Sequence, residues 1–216
     1  MVSGRRLVLA TRNEHKVGEL REILAEVLGA TGLDLVGLDA FEGLEDVVES
    51  GVTFAENALL KARYAAAATG LPALADDSGL AVDVLGGAPG VFSARWAGPL
   101  AEAMSVEKDE ANNQLLLAQL ADVPDEHRGA GFVCAAALVL PGDEPGATGA
   151  EVVRERHCRG VLAHEPRGIN GFGYDPLLVR PDGRSLAEHT GPEKNAISHR
   201  GEAFRALGQD IAALLG

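Results

Sequence analysis

Aromatic side chains make up only 4% of the 216 residues, so the core has to be assembled from Ala, Leu and Val. Cysteine is scarce too: Cys134 and Cys158 are the only two. Both fall in apolar or mixed strand-like stretches, which reads as buried free thiols in a reducing cytoplasm rather than a disulfide framework. No apolar run approaches the roughly 18 residues of a membrane span. The opening MVSGRRLVLA is cut short by TRNEHK, before it reaches the longer apolar stretch and small-residue cleavage site of a signal peptide. Positive charge is in deficit, with 19 Lys and Arg against 32 Asp and Glu and a formal net charge of −13. That argues against coating nucleic acid or an anionic membrane by bulk charge, yet lets a few cations converge on an anionic small molecule. Internal repeats and long linkers are missing, and the length fits one domain, or two lobes sharing a sheet.

What is present alternates between strands and helices. RLVLAT is a short apolar run suited to a buried strand, and it stops at TRNEHK. From Asn13 the period becomes helical, with Val17, Leu20, Ile23, Leu24, Val27 and Leu28 at spacings of three and four. LDLVGL reads as a second strand. Thr53 and Glu56 form a T-x-x-E capping box that starts an Ala-rich helix, and Gly70 stops it. PALAD and LAVDVL read as two strands flanking a DDSG turn. An amphipathic helix is expected over about 105–121, with Leu115, Leu116 and Leu120 on its apolar side. AGFVCAAALVL reads as a buried central strand, PGDEPGATG as a hairpin-like connection and AEVVRERHCRG as a strand with one wet face. A Gly-rich loop, NGFGYDPLLVRPDG, runs into a short strand. Ser185 and Glu188 offer a second capping box near 186–190, and a last helix begins near Ser198. The pattern predicts a mixed α/β fold with helices packed on the faces of one sheet.

Five stretches have the residue types for chemistry. TRNEHK sits between a strand and a helix, where unpaired backbone N–H groups favour phosphate. Thr11 and Asn13 add hydrogen bonds and Lys16 a full charge, although the glycines of a Walker loop are lacking. An ordinary capped helix explains the same residues. ALADDSGL places Asp76 and Asp77 side by side. One of them is a candidate Mg²⁺ ligand, because Mg²⁺ takes one or two carboxylates plus waters and substrate phosphates. Glu49 and Glu56 upstream are candidates to complete that site, and an Asx-type turn with two solvated charges is the other reading. GFGYDP sets Phe172 and Tyr174 among glycines, either for a planar ligand or for a tight turn with both rings packed inward. EKNAISHR supplies Lys194, Ser198, His199 and Arg200, donors for an anion or a ring carbonyl, or simply solvated charge. GVFSARWAG carries Arg95 and the single Trp96, which suits a structural or subunit-contact role.

These stretches in this order resemble the HAM1-type family of inosine/xanthosine triphosphate pyrophosphatases. The resemblance spans nearly the whole chain and is carried by LATRNEHKVGEL, GVTFAENALLKA, LADDSGLAVDVLGGAPGVFSARWAG, GFGYDP and EKNAISHRGEA. It implies a single domain of two lobes over residues 1–216, an elongated mixed α/β fold with a long central mixed sheet flanked by helices, and a nucleotide cleft between the lobes. It implies a cytoplasmic homodimer that hydrolyses ITP, dITP or XTP to the monophosphate and pyrophosphate with Mg²⁺. Position by position, Asp77 corresponds to the catalytic acid and a metal ligand, and Glu49 is the candidate second metal carboxylate. Thr11, Asn13 and Lys16 correspond to triphosphate contacts, with Arg12, Glu14 and His15 of the same stretch in the substrate site. Ser78 corresponds to a substrate contact, and Phe172, Gly173, Tyr174 and Asp175 to the base and sugar pocket. Lys194, His199 and Arg200 correspond to the groups that read the base. Two rivals stand beside this reading: a nucleotide sensor that binds without releasing pyrophosphate, and a Mg²⁺-dependent phosphatase acting on another nucleotide.

Overall fold

The computed structural model describes residues 5–45 and 47–216. One six-stranded sheet, in the order β2-β1-β3-β4-β5-β6, is built from β1 (Arg5–Leu9), β2 (Leu33–Gly37), β3 (Ala73–Val82), β4 (Gly129–Pro141), β5 (Thr148–Leu162) and β6 (Leu178–Val179). It is mixed: β1 runs parallel to β2 with Leu7 opposite Leu35 and parallel to β3 with Leu9 opposite Leu74, while β5 and β6 are antiparallel. The helices are α1 (Glu14–Ile23), α2 (Ala25–Thr31), α3 (Phe54–Thr69), α4 (Leu100–Met104), α5 (Lys108–Gln119), α6 (Gly191–Ile197) and α7 (His199–Leu215). Among the described residues no helix is long and apolar enough to cross a membrane.

The chain divides into two compact units, the first holding the chain up to Asp77, Cys134–Arg156 and Arg200–Gly216, and the second Ser78–Val133 and His157–His199. In the first unit the pleat sorts side chains strictly. Leu7 and Leu9, Leu74, and Cys134, Ala136 and Leu138 belong to a core shared with Leu20 of α1 and Phe204, Leu207 and Ile211 of α7. Their strand neighbours Val8, Ala73, Ala75, Ala135, Ala137 and Val139 belong to a second core, filled by Ala58, Ala62, Ala65 and Ala66 of α3. A sheet covered on both faces explains why β1 and β4 read as continuous apolar runs. In the second unit Leu80, Val82, Leu116, Leu120, Phe132, Leu162, Tyr174, Leu177, Leu178 and Leu186 form the core. The buried Arg128 there donates to the carbonyls of Leu120 (2.7 Å), Leu162 (2.8 Å) and Ala163 (2.9 Å), so each of its three side-chain nitrogens has a carbonyl partner.

The capping box at Thr53–Glu56 forms, Gly70 ends α3 at φ 66°, and the Ser185–Glu188 box forms around a turn at Leu186–Glu188. Both cysteines are free and buried. Other expectations need correction. The first helix is two helices, because Leu24 leaves helical geometry (φ −97°, ψ 6°) while its side chain stays in the core. The helix expected over 105–121 starts at Lys108, since Ser105 adopts a left-handed conformation (φ 56°) that ends the short α4. GPEKNAI forms α6, begun by a capping box at Thr190 and Glu193, where sequence periodicity marked only the start of the last helix.

The largest correction concerns ALADDSGL. There is no turn: β3 runs unbroken from Ala73 to Val82. Gly79 is present for clearance instead. A Cβ there would stand 2.4 Å from Ser93 Oγ and 2.6 Å from the Gly90 carbonyl oxygen. Ser93 Oγ uses that space to accept from the Leu80 N–H (2.9 Å) and donate to the Gly90 carbonyl (2.6 Å). Gly79→Ala should therefore lower stability by about 1–3 kcal/mol through overpacking, seen as a lower denaturant midpoint. A midpoint equal to wild type would remove the clearance argument.

Candidate active site

An unbroken β3 sends Asp76 and Asp77 to opposite faces of the sheet. Asp76 shares its face with Leu74 and meets cations from α1 and α7: Lys16 Nζ at 2.5 Å and Arg200 Nε at 3.2 Å. Glu19 lies 3.9 Å from the Arg200 guanidinium. Asp76 is fully buried, which by itself penalises its charge; Lys16, then Arg200, reverse the balance and hold the carboxyl well below the usual carboxylate range.

Asp77 shares its face with Ala73 and Ala75 and meets α3. Asn57 Nδ2 donates to Asp77 Oδ2 at 3.0 Å, and Lys61 Nζ stands 3.6 Å from Asp77 Oδ1 and 2.6 Å from Glu49 Oε1. Burial is the leading influence on Asp77 and raises its pKa; Lys61 and Asn57 offset this in part, while Glu49 and Asp76 add to it. For Lys61 burial works against the charge, but Asp77 and Glu49 more than compensate and its pKa is raised. Asn57 and Lys61 were not among the sequence candidates. The available signal was their spacing of four on a helix already marked by the capping box, which puts both on one face.

Thr11, Arg12, Asn13, Lys16 and Glu49 line one cavity of about 470 Å³ together with Lys61, Tyr64 and Asp76. Asn13 is the N-cap of α1: its Oδ1 accepts from the Lys16 N–H at 3.3 Å, and Thr11 Oγ1 accepts from the Asn13 N–H at 3.2 Å. Arg12 bonds to the Leu44 carbonyl and lies 3.5 Å from Asp39. Glu14 and His15 are exposed on the first turn of α1 and do not line the cavity. Glu56 serves the cap of α3, its Oε2 accepting from the N–H groups of Val52 (2.7 Å) and Thr53 (3.1 Å). Among the described residues no three His, Cys, Asp or Glu side chains converge on a metal position. Glu49 and Asp77 do converge on one cation, the Lys61 ammonium, and two hard carboxylates suit a divalent ion that also takes phosphate oxygens.

In the second unit the GFGYDP loop is held by its own carboxylate. Asp175 Oδ2 accepts from the Phe172 N–H (2.8 Å) and from Lys194 Nζ (2.6 Å), and Lys194 Nζ stands 4.7 Å from the centre of the Phe172 ring. From α5, Asp109 accepts from the Gly173 N–H (2.7 Å) and Asn113 donates to the Gly173 carbonyl (2.9 Å). Phe172 is 60% exposed, whereas Tyr174 packs inward with its hydroxyl on the Ser93 carbonyl at 2.9 Å. Of the two rings, Phe172 alone offers a stacking surface. His199 is buried with its ring stacked on Phe132 (centroids 4.9 Å apart, planes within 9°). Next to it in sequence, Arg200 is engaged by Asp76. Ser78 lies half-buried in β3, directly after Asp77.

The two acids should respond oppositely to neutralisation. Asp76→Asn strands two buried or half-buried cations and should cost about 3–5 kcal/mol of unfolding free energy. A carboxylate with a depressed pKa contributes stability above its ordinary value of 3.8, lost as pH falls towards the folded value. Asp77, with a raised pKa, carries its charge at a cost above that pH, so Asp77→Asn should leave the melting temperature at or above wild type. Equal losses for both variants in a denaturation series would sink the distinction.

Comparison with known proteins finds relatives over nearly the whole chain. The Ham1 family model matches residues 7–210. The chain is 60% identical over 215 residues to a dITP/XTP pyrophosphatase of Streptomyces coelicolor, covering 98% of this chain and 99% of that one. It is likewise 60% identical over 212 residues to a dITP/XTP pyrophosphatase of Frankia alni, covering 97% and 96%. Among solved structures, a HAM1 protein from Coxiella burnetii superposes with a TM-score of 0.83 at 40% identity, covering 97% of this chain and 99% of that one. The nucleoside-triphosphatase, or dITP/XTP pyrophosphatase, of Mycobacterium abscessus gives 0.74 at 48% identity, covering 94% and 98%. With a family match over residues 7–210, relatives at 60% identity and the same mixed α/β fold, the chain belongs to the Ham1 family.

Proposed function

We propose that the protein hydrolyses deaminated purine nucleoside triphosphates (ITP, dITP and XTP) to the monophosphate and pyrophosphate, removing non-standard purines from the nucleotide pool. The observation that carries the reading is Asp77: a half-buried carboxyl with a raised pKa, held by Asn57 and Lys61 beside Glu49. The names of its relatives support the substrate class.

The phosphate chain is assigned to the first unit. The leading N–H groups of α1 and the Lys16 ammonium meet its charge, with Thr11 and Asn13 shaping the turn that presents them. The Asp77 carboxylate takes a proton from the attacking water, a role that suits a carboxyl with raised basicity. The oxygen of that water bonds to the α-phosphorus, the α–β phosphoanhydride bond breaks, and pyrophosphate leaves with the bonding electrons. Lys16 and Lys61 offset the charge that grows on the leaving group. We assign Mg²⁺ to Glu49 and Asp77, where it supplies further neutralisation of phosphate charge.

The base is assigned to the second unit, stacked on Phe172, with Lys194 and His199 as donors towards the oxygen at ring position six. Facing the amino group of adenine instead, such donors stay unpaired, at about 1–3 kcal/mol each. A homodimer and a cytoplasmic setting belong to the same proposal. Exposed apolar Val84, Phe92, Leu100 and Met104 support a subunit contact, and the two free, buried thiols support a reducing compartment.

The test is a product assay on ITP, dITP, XTP, ATP and GTP, with Mg²⁺ and with EDTA. Pyrophosphate release from the deaminated substrates, abolished by EDTA and by Asp77→Asn, is expected. Orthophosphate as the first product, or tight dITP binding with no turnover, would overturn it in favour of a phosphatase or a sensor. Phe172→Ala should raise KM for dITP severalfold with a smaller change in kcat; an unchanged KM would remove the stacking role.

A further inference from the structure

Asn57 is a neutral side chain, 1% exposed, on the first turn of a helix, where it is a weaker helix former than the alanines around it. Burying an amide costs free energy unless both of its ends find partners. Both do. Asn57 Oδ1 accepts from the Gly51 N–H at 2.8 Å, and Nδ2 donates to Asp77 Oδ2 at 3.0 Å. The orientation is forced by the partners, since a backbone N–H only donates and an ionised carboxylate only accepts.

Each partner leads to one of the two acids assigned above to the divalent ion. Asp77 is touched directly. Gly51 lies two residues beyond Glu49, on a segment that reaches α3 again through the Glu45 N–H, which donates to Tyr64 Oη at 2.8 Å. Glu49 is thus suspended between an anchor at Tyr64 and an anchor at Asn57. The Gly51 anchor is tight: a Cβ at Gly51 would stand 2.7 Å from Asn57 Oδ1 and 2.7 Å from Glu56 Cβ.

We propose that Asn57 is a positioning residue that sets the separation of Glu49 and Asp77, one end of its amide fixing the Asp77 carboxylate and the other the segment that carries Glu49. The inference rests on the metal and base roles proposed for these acids. Only an amide of this length does the task. Asp would offer oxygens to both partners and repel Asp77, a longer Gln would displace one contact, and an aliphatic residue would hold neither. Being neutral, the amide orients Asp77 without cancelling its charge, and leaves Oδ1 facing Lys61.

The experiment compares Asn57→Ala, Asn57→Asp and Gly51→Ala with wild type. Three quantities are read: kcat and KM for dITP, binding of Mn²⁺ as a paramagnetic probe in the absence of nucleotide, and hydrogen exchange at the Gly51 amide. For Asn57→Ala, kcat and Mn²⁺ affinity should each fall about 10- to 100-fold, as for other groups that orient metal ligands. Its KM for dITP should stay near wild type, because Asn57 touches none of the phosphate-binding side chains, and its Gly51 amide should exchange faster. Asn57→Asp should keep Gly51 protected yet lose kcat, separating the two ends of the amide. Gly51→Ala leaves the Asn57 side chain in place but sets a Cβ against Asn57 Oδ1 and Glu56 Cβ, which should push the segment off its anchor and weaken Mn²⁺ binding, so the proposal stays testable if the Asn57 variants fold poorly. Wild-type kcat and Mn²⁺ affinity in either Asn57→Ala or Gly51→Ala would overturn it. A wild-type protein that releases no pyrophosphate from dITP would instead overturn the proposed function, while exchange and Mn²⁺ binding would still report on Asn57.

Discussion

The pleat of β3 at Asp76 and Asp77 organises the site. Two adjacent carboxylates in a low-dielectric interior repel each other and cost a great deal to desolvate. The strand avoids having them compete for the same partners by turning one to each face of the sheet. On one side Asp76 finds Lys16 and Arg200; on the other Asp77 finds Asn57 and Lys61. Each face brings its own helices, so residues far apart in sequence are gathered by a single dipeptide.

This sorting divides labour between neighbours. Asp76 is an electrostatic keystone: paired twice, deeply buried and committed to its charge. It fixes the Lys16 ammonium beside the start of α1, where a phosphate would meet it. Asp77 is held loosely by comparison, with one amide bond and a more distant ammonium, and burial pushes its pKa up. A carboxyl that is reluctant to remain ionised is a poor contributor to stability and a better proton acceptor. Placing the two beside each other lets a rigid part of the sheet carry a reactive group without relying on that group for support.

Much of this was legible in the amino-acid pattern, and what was not has definite causes. The apolar periods of β1, β4, α3 and α7 were readable because burial on one or both faces dictates residue type. The capping boxes at Thr53 and Ser185 were readable because their geometry is local. ALADDSGL was misread because Asp-Asp-Ser-Gly carries every mark of a turn. What overrides the local preference is tertiary: cations waiting on both faces, and Ser93 occupying the space that Gly79 leaves open. Among the site residues, Lys16 and Asp77 stood out by their setting between strand and helix and at the end of an apolar run. Asn57 and Lys61 did not, since an Asn and a Lys on an Ala-rich helix look like side chains turned to water until the sheet beneath them is known. The depth of Tyr174 and His199 was not legible either: the Tyr174 hydroxyl donates to the Ser93 carbonyl and the His199 ring stacks on Phe132, contacts made by residues far away in the chain.

The alanine seam joining α3 to the sheet has a mechanical consequence. Ala58, Ala62, Ala65 and Ala66 lie against a face built largely from Ala73, Ala75, Ala135 and Ala137, so helix and strands approach with little between them. Short side chains such as asparagine can span that gap only because it is narrow. A bulkier residue anywhere along the seam would act as a shim, lifting the helix and drawing its amide and ammonium away from the acid below. The low aromatic content of the chain, at first sight only a matter of composition, thus serves as the gauge that keeps a distant reactive group in adjustment.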